Sequence, residues 1–207
     1  MAAGRTGGRD VHPGRRAQCQ AGRFMEAQAL CQRILIANPR HCGSLNLAGI
    51  IAYRSGHFED AEASYRRALH IEPNYAEAHY NLGVMFMTLR HFDKAEASYR
   101  RALHSRPDYV KAHINLGNTL KSLGRLDAAV ASYRQALRIK PDCADVYSNL
   151  GVVLTEMERL EEALECHVQE LALMPAERWT EALRDLGTPL LLLSTNQSAP
   201  FAGVNGA

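Results

Sequence analysis

The sequence has no long apolar run, no CxxC cysteine pair and no excess of charge of one sign. Its four consecutive leucines at 190–193 fall far short of the roughly 20 apolar residues that a membrane-spanning helix needs. The 24 basic and 22 acidic residues give a net charge of +2, so the bulk charge does not indicate a nucleic-acid partner. Five cysteines without a paired spacing are typical of a reducing compartment. We therefore expect a cytoplasmic protein with no membrane and no nucleic-acid partner.

Motifs for catalysis and for metal binding are also missing. The sequence holds no GxSxG, no glycine-rich phosphate-binding loop and no HExxH. Six of the nine histidines form pairs 34 residues apart: 57 and 91, 70 and 104, 79 and 113. Copying of a repeat explains these pairs, and no cluster of three ligands with cysteine or carboxylate support accompanies them. We expect no metal, no cofactor and no enzymatic activity in this chain.

What the sequence does contain is a repeat of 34 residues. Prolines stand at 39, 73, 107, 141 and 175, and glycines at 49, 83, 117 and 151. The ten residues AEASYRRALH at 61–70 recur unchanged at 95–104. A fixed period of this length is the signature of an array in which each unit packs on its neighbours.

The residues inside one repeat indicate a pair of helices. Four of them share the spacing i, i+3, i+4, i+7 of one helix face: His79, Leu82, Gly83 and Phe86. A second apolar stripe follows: Ala95, Tyr99, Ala102 and Leu103. The small residues of these stripes let two helix backbones approach, and Pro107 cannot continue the second helix. The expected fold class is therefore all-α.

This pattern resembles the tetratricopeptide repeat over residues 23–175, with its Leu-Gly, aromatic, alanine and proline landmarks at matching spacing. The resemblance implies a right-handed superhelical solenoid of antiparallel helix pairs that binds proteins. Predicted segments follow in chain order: a flexible Gly/Arg-rich tail at 1–22, a half repeat (second helix only) at 23–41, four repeats at 42–75, 76–109, 110–143 and 144–177, a capping helix at 177–187 and a disordered tail at 188–207. The opening half repeat is expected to be a cap or a sign of shortening from a longer chain.

Asparagine recurs at one register of the first helices: Asn81, Asn115 and Asn149, with Leu47 in the first repeat. Asparagine is a mediocre helix former, so three at equal places need a reason. Its amide donates and accepts, so it can pair with a peptide unit whatever the side chain. We predict that these residues bind an extended peptide, together with the neighbouring Asn118, Lys111, Tyr80 and Asn46. The alternative is that the asparagines pack between helices and bond to helix backbone.

The segment 111–141 resembles the repeat arm of the O-linked N-acetylglucosamine transferases and their SPINDLY-type relatives. In those proteins an asparagine ladder holds protein substrates by the backbone, and the resemblance places Asn81, Asn115 and Asn149 on that ladder, which Leu47 breaks. The sugar-transferring domain of that family follows the repeats, and this chain is expected to end before one. Two hypotheses follow: a protein-interaction module, or the substrate-docking arm of a truncated or split glycosyltransferase. Self-association, with one chain's groove taking another's tail, is a third.

The arginine pairs 66–67 and 100–101 raise the question of a basic patch. Glu62 and Glu96 stand four residues before the first arginine of each pair, the favourable order for a surface ion pair on a helix. Aromatic residues that stack on bases are not interleaved with these arginines. A solvated outer helix surface is the preferred interpretation.

Overall fold

The computed structural model describes residues 13–175, Gly187 and Pro189, with side chains from Met25 onward. Across this part of the chain the secondary structure is nine α-helices and no strand, which confirms the predicted all-α class. The helices are α1 (Pro13–Ala37), α2 (Cys42–Arg54), α3 (Phe58–Ile71), α4 (Ala76–Thr88), α5 (Phe92–Ser105), α6 (Val110–Ser122), α7 (Leu126–Ile139), α8 (Ala144–Glu156) and α9 (Leu160–Leu173). Residues 1–12 of the predicted tail, most of the predicted capping helix and the C-terminal tail lie outside the described residues.

The first helix begins earlier than the sequence indicates. It runs without a break from Pro13 to Ala37, across the predicted junction between tail and half repeat at residue 23. Proline suits the first position of a helix because its fixed φ is helical and its missing N–H is not needed there. The two glycines inside this helix, Gly14 and Gly22, each cost only about 1 kcal/mol relative to alanine and do not end it.

The chain divides into two compact units, Met1–Pro73 and Asn74–Ala207, here called unit 1 and unit 2. In unit 1, α2 packs on α3, and α1 packs on α2. Unit 2 holds three helix pairs, α4/α5, α6/α7 and α8/α9, and the second helix of each pair packs on the first helix of the next. The first helices α4, α6 and α8 also contact one another in sequence. Unit 2 is therefore a regular stack of helix pairs.

Each pair is closed by a glycine on the first helix and a large ring on the second. A β-carbon added at Gly83 would lie 2.6 Å from Cε1 of Tyr99, and one at Gly117 would lie 2.6 Å from Cε1 of Tyr133. Both rings are fully buried, at 1% and 0% exposure. The repeated glycine is thus required by close approach, since any side chain there would overlap the ring.

The turns between the helices of a pair also repeat. One position takes a left-handed backbone in every repeat, at Gly56 (φ 80°), Arg90 (57°), Gly124 (71°) and Glu158 (59°). These residues are spaced by 34, so the geometry is a property of the turn and not of the side chain. Glycine adopts it freely, whereas arginine and glutamate adopt it at a cost.

The predicted surface ion pairs are confirmed in both copies of the shared decapeptide. Arg66 lies 2.6 Å from a carboxylate oxygen of Glu62, and Arg100 lies 3.0 Å from Glu96. None of the helices described here is both long and apolar enough to span a bilayer.

Candidate peptide-binding face

The predicted asparagines lie on a half-exposed stripe of the first helices of unit 2. We call this stripe the asparagine face. Its members are Glu77, Tyr80, Asn81 and Val84 on α4, Lys111, Ile114, Asn115 and Asn118 on α6, and Asp145, Ser148, Asn149 and Val152 on α8. Leu82, Leu116 and Leu150, next to the asparagines in sequence, are buried in the core. The helix period thus turns each leucine inward and leaves each asparagine at the surface.

Asn115 is held by a tyrosine of the neighbouring first helix. Its Nδ2 donates to the hydroxyl of Tyr80 over 3.1 Å, and both residues are half-buried. Burial raises the pKa of Tyr80, so its phenol stays neutral and able to accept near pH 7. The amide of Asn115 keeps one N–H and its carbonyl oxygen for another partner.

Asn118 makes a hydrogen bond of a different kind. Its Oδ1 accepts from the hydroxyl of Tyr133 over 2.6 Å. Tyr133 has no exposed surface, and burial raises the pKa of Tyr133 far above its usual range. Asn118 therefore satisfies the polar end of a core residue, while its NH₂ group retains both donors.

Asn149 differs from the other two. It is half-buried, and its side chain makes no hydrogen bond to any described residue. In the next repeat the residue that corresponds to Tyr80 is Ile114, 34 residues later in the sequence. The apolar side chain of Ile114 cannot accept a hydrogen bond from Asn149. Asn81 is also half-buried and already has a partner. Among these asparagines, Asn149 presents a complete amide.

One edge of the asparagine face is built by charged and aromatic side chains. Arg106 pairs with Glu77 at 2.5 Å, and its guanidinium lies 4.9 Å from the ring centre of Tyr109. The Tyr109 ring lies 4.9 Å from that of Tyr80. Glu77 raises the pKa of Arg106, and burial raises the pKa of Tyr109. These contacts fix Tyr80 and, through it, Asn115.

Two charges on the face have no ion-pair partner within the described part of unit 2. Lys111 on α6 and Asp145 on α8 are both exposed. They occupy the same register on adjacent first helices, as does Glu77 on α4, which is neutralised by Arg106. The face thus carries one free positive and one free negative group beside its amides.

Asn46 does not fit the prediction. It belongs to unit 1, and only 8% of its surface is exposed. It lies three residues before the buried Gly49, so both share the side of α2 that packs. Its neighbour Leu47, which interrupts the asparagine register, is 37% exposed. Asn46 is therefore part of the packing and not of an open surface.

Some residues that shape the face were not identified from the sequence. Arg106, Tyr109 and Tyr133 hold the side chains around the asparagines. The recurrence of tyrosine at 75 and 109, just before a first helix, was a signal that could have drawn attention to Tyr109. No group of three or more His, Cys, Asp or Glu side chains suited to a metal ion occurs among the residues with described side chains.

Family profiles match most of the chain. One profile described as tetratricopeptide repeat matches residues 16–76 and 46–110, a second matches 146–181, and a profile described as TPR repeat matches 117–158. No curated protein sequence matches the chain. These matches confirm the family expected from the 34-residue period.

Solved structures show the same fold. A crystal structure of MamA has a TM-score of 0.68 and 24% identity, over 79% of this chain and 94% of that one. Another has a TM-score of 0.66 and 24% identity, over 80% and 89%, and a structure of MamA AMB-1 has 0.64 and 23%, over 78% and 90%. At these identities the likeness concerns the fold alone. The chain is built of tetratricopeptide repeats, a scaffold that suggests protein–protein interaction.

Proposed function

We propose that the asparagine face of unit 2 binds an extended segment of a partner protein, with side-chain amides pairing to its peptide backbone. The observation that carries this proposal is Asn149, a half-buried amide with no hydrogen bond inside the described structure. Asparagine is a weaker helix former than alanine, so an asparagine whose amide has no internal partner lowers the stability of its helix without a structural return. Binding of a ligand by that amide would account for it. Asn115 and Asn118 support the proposal because each keeps donors that its internal bond does not use.

The spacing of the amides suits an extended chain. Adjacent packed helices lie about 8–10 Å apart. An extended peptide advances about 3.3 Å per residue, so amides on neighbouring first helices would meet peptide units about three residues apart. This repeat along α4, α6 and α8 supports recognition of backbone over some seven residues of ligand.

The free charges add a preference for ligand side chains. Lys111 would attract an acidic residue of the ligand and Asp145 a basic one. Because these groups stand on adjacent helices, the attraction favours one direction of the bound chain over the other. Exposed pairs of this kind contribute about 0–1 kcal/mol each, so they select orientation more than affinity.

The alternative is a substrate-docking arm of a glycosyltransferase, which would use the same amides in the same way. The observation that favours keeping it is the recurrence of asparagine at 81, 115 and 149 on the asparagine face. The two functions differ in the partner: the docking arm requires a separate chain that uses a nucleotide sugar. A self-association role requires that the bound segment come from a second copy of this chain.

The test uses peptides selected on the wild-type chain from a displayed library of random 12-residue sequences. The variant Asn149→Ala removes the free amide without breaking an internal bond, and Gln135→Ala removes an exposed amide from the second helix α7 as a matched control. We expect Asn149→Ala to weaken the selected peptide about 2- to 13-fold, the equivalent of one hydrogen bond, at an unchanged melting temperature. Gln135→Ala should bind as the parent does. Equal affinity of Asn149→Ala and parent, in selected peptides from several families, would contradict the proposal.

A further inference from the structure

A basic cleft of about 420 Å³ on unit 1 has no role in the function proposed above. It is lined by Pro39, Arg40, Arg66, Arg67, His70 and Ile71. The guanidinium groups come from two places, the turn between α1 and α2 and the last two turns of α3. No carboxylate is among its described lining residues. Basic side chains near the C-terminal end of a helix also interact favourably with the helix dipole, so the arginines of α3 alone would not indicate a ligand.

The turn supplies the second observation. Arg40 occupies a position that recurs with the 34-residue period, and the same position holds Asn74, Asp108 and Asp142 in the later repeats. Unit 1 therefore replaces a neutral or acidic turn residue by a cation, at the place where it faces the arginines of α3. Arg40 takes part in the turn through its backbone: its N–H donates to Asn38 Oδ1 over 3.1 Å, and its carbonyl oxygen accepts from the Cys42 thiol over 3.7 Å. Its side chain is exposed and has no ion-pair partner among the described residues.

The second copy of the decapeptide shows what the cleft depends on. The residues AEASYRRALH are identical at 61–70 and 95–104, yet their surroundings differ. In unit 2 a cleft beside this segment is bounded by the following helices α6 and α7 and not by the preceding turn; it is lined by Arg100, Leu103, His104, His113, Leu116, Ala131, Ser132 and Gln135. Arg100 there pairs with Glu96, which also accepts from Arg125. Asn74 stands at the Arg40 position before the second copy, so of the two copies of the decapeptide the one in unit 1 alone is preceded by an arginine at this turn.

The charge balance of the cleft favours a dianionic ligand. Arg66 pairs with Glu62, whereas Arg40 and Arg67, which also line the cleft, have no ion-pair partner among the residues whose side chains are described. A phosphate monoester carries about two negative charges at pH 7 and three acceptor oxygens. Guanidinium groups match these oxygens in bidentate geometry, and Arg66 still has unused N–H groups beside its ion pair. Glu72, the residue that follows Ile71 in the sequence, carries a carboxylate but does not line the cleft. Burial, and to a smaller extent the charge of Glu72, raises the pKa of Cys42.

We propose that the cleft formed by Arg40, Arg66, Arg67 and His70 on unit 1 binds a phosphate monoester dianion. The dianion comes either from a phosphorylated side chain of a protein or from a small phosphate. The proposal does not rest on the asparagine face, which belongs to unit 2.

The experiment measures binding to the full chain by nuclear magnetic resonance shifts of the backbone amides of 40–41 and 66–71. Four probes are used: a degenerate peptide pool with one fixed phosphoserine, the same pool with serine, inorganic phosphate, and a 12-residue single-stranded DNA. We expect the phosphoserine pool or inorganic phosphate to shift these signals and the serine pool to leave them in place. A phosphoserine pool that binds more tightly than phosphate identifies a phosphorylated side chain as the source, and equal affinity identifies free phosphate. DNA that binds more tightly than both would overturn the proposal in favour of a phosphodiester chain.

Arg40→Asp tests the cleft with a residue that the repeat itself uses. Because aspartate stands at the same turn at 108 and 142, the fold should tolerate it, and thermal melting followed by circular dichroism checks this. We expect the affinity for the phosphate probe to fall about tenfold or more, since one charge-assisted partner is lost and its charge reversed. Arg101→Asp, the counterpart of Arg67 in unit 2, is the matched control and should bind as the parent does. Unchanged binding in Arg40→Asp, or an equal loss in Arg101→Asp, would overturn the assignment. Peptides selected for the asparagine face should be unaffected by either variant, so the two proposals fail separately.

Discussion

The packing of Gly83 against Tyr99 predicts that adding a single methyl group destabilises unit 2. In Gly83→Ala the new β-carbon would lie 2.6, 2.7 and 2.9 Å from three atoms of the Tyr99 ring. Non-bonded carbon atoms prefer about 3.5–4.0 Å, so ring or helix must retreat by about 1 Å. Tyr99 is 1% exposed and lies 5.8 Å from the Tyr80 ring, so its surroundings resist that shift.

Two terms of opposite sign decide the result. Overpacking of a core costs about 1–3 kcal/mol. Replacing glycine by alanine inside a helix returns up to about 1 kcal/mol, because alanine loses less backbone entropy. Gly43→Ala isolates the second term: a β-carbon at Gly43 meets nothing closer than 3.4 Å, the ring of His41. We expect the free energies of unfolding of the two variants to differ by about 1–3 kcal/mol, with Gly83→Ala the less stable.

The assay is urea unfolding followed by far-ultraviolet circular dichroism, with amide hydrogen exchange to locate the loss. Neighbouring repeats couple most strongly, so exchange should rise in α4–α7 more than in α9. Gly83→Ala that is as stable as Gly43→Ala, or a loss spread evenly over unit 2, would refute the reasoning from the glycine–ring contact.

Three further predictions concern other contacts. Glu158→Gly should raise the free energy of unfolding by about 0.5–1 kcal/mol, because Glu158 holds a left-handed φ of 59° that glycine adopts without strain; an unchanged melting temperature would contradict this. Asn118→Ala should cost about 1–3 kcal/mol in urea unfolding, since it leaves the buried Tyr133 hydroxyl without its acceptor, whereas Asn149→Ala, which breaks no internal hydrogen bond, should leave the free energy of unfolding unchanged. Burial raises the pKa of Cys166 to about 11, above that of an unfolded thiol at about 8.5. The unfolded chain therefore ionises first at this thiol, so the contribution of Cys166 to stability should be constant below about pH 8.5 and fall as the pH rises towards 11. Burial also raises the pKa of Tyr65, so stability should decrease more steeply at higher pH. Cys166→Ala should reduce the loss of stability just above pH 8.5, and a pH profile of stability identical to that of the parent would exclude Cys166 as a cause.

The fold class was predictable because the period repeats the same packing problem. A glycine, a ring and two alanines at fixed sequence spacings define one helix pair, and the same residues recur every 34 positions along the chain. The start of α1 was not predictable by the same reasoning. Gly14 and Gly22 lower helix propensity, and the sequence alone does not show whether packing offsets that loss.

The candidate site was predictable only in part. The register of Asn81, Asn115 and Asn149 follows from sequence periodicity, whereas the partners of each amide depend on which residue the neighbouring helix supplies. Tyr80 accepts a hydrogen bond from Asn115, whereas Ile114, at the same position of the next repeat, cannot accept one from Asn149. Pairing across helices depends on departures from the repeat, so a period alone cannot reveal it. The same holds for Arg40, whose significance lies in differing from its counterparts.

The central claim, that the asparagine face grips peptide backbone, is tested most directly by chemically altering a ligand. A 12-residue peptide selected on the wild-type chain is synthesised with single N-methyl groups along its backbone, and in parallel with single alanine replacements at the same positions. Isothermal titration calorimetry then gives the affinity of each peptide. If amides of the face pair with peptide N–H and C=O groups, N-methylation at positions about three residues apart should weaken binding about tenfold, and most alanine replacements should change it far less. Strong loss from alanine replacements with little effect of N-methylation would contradict the account.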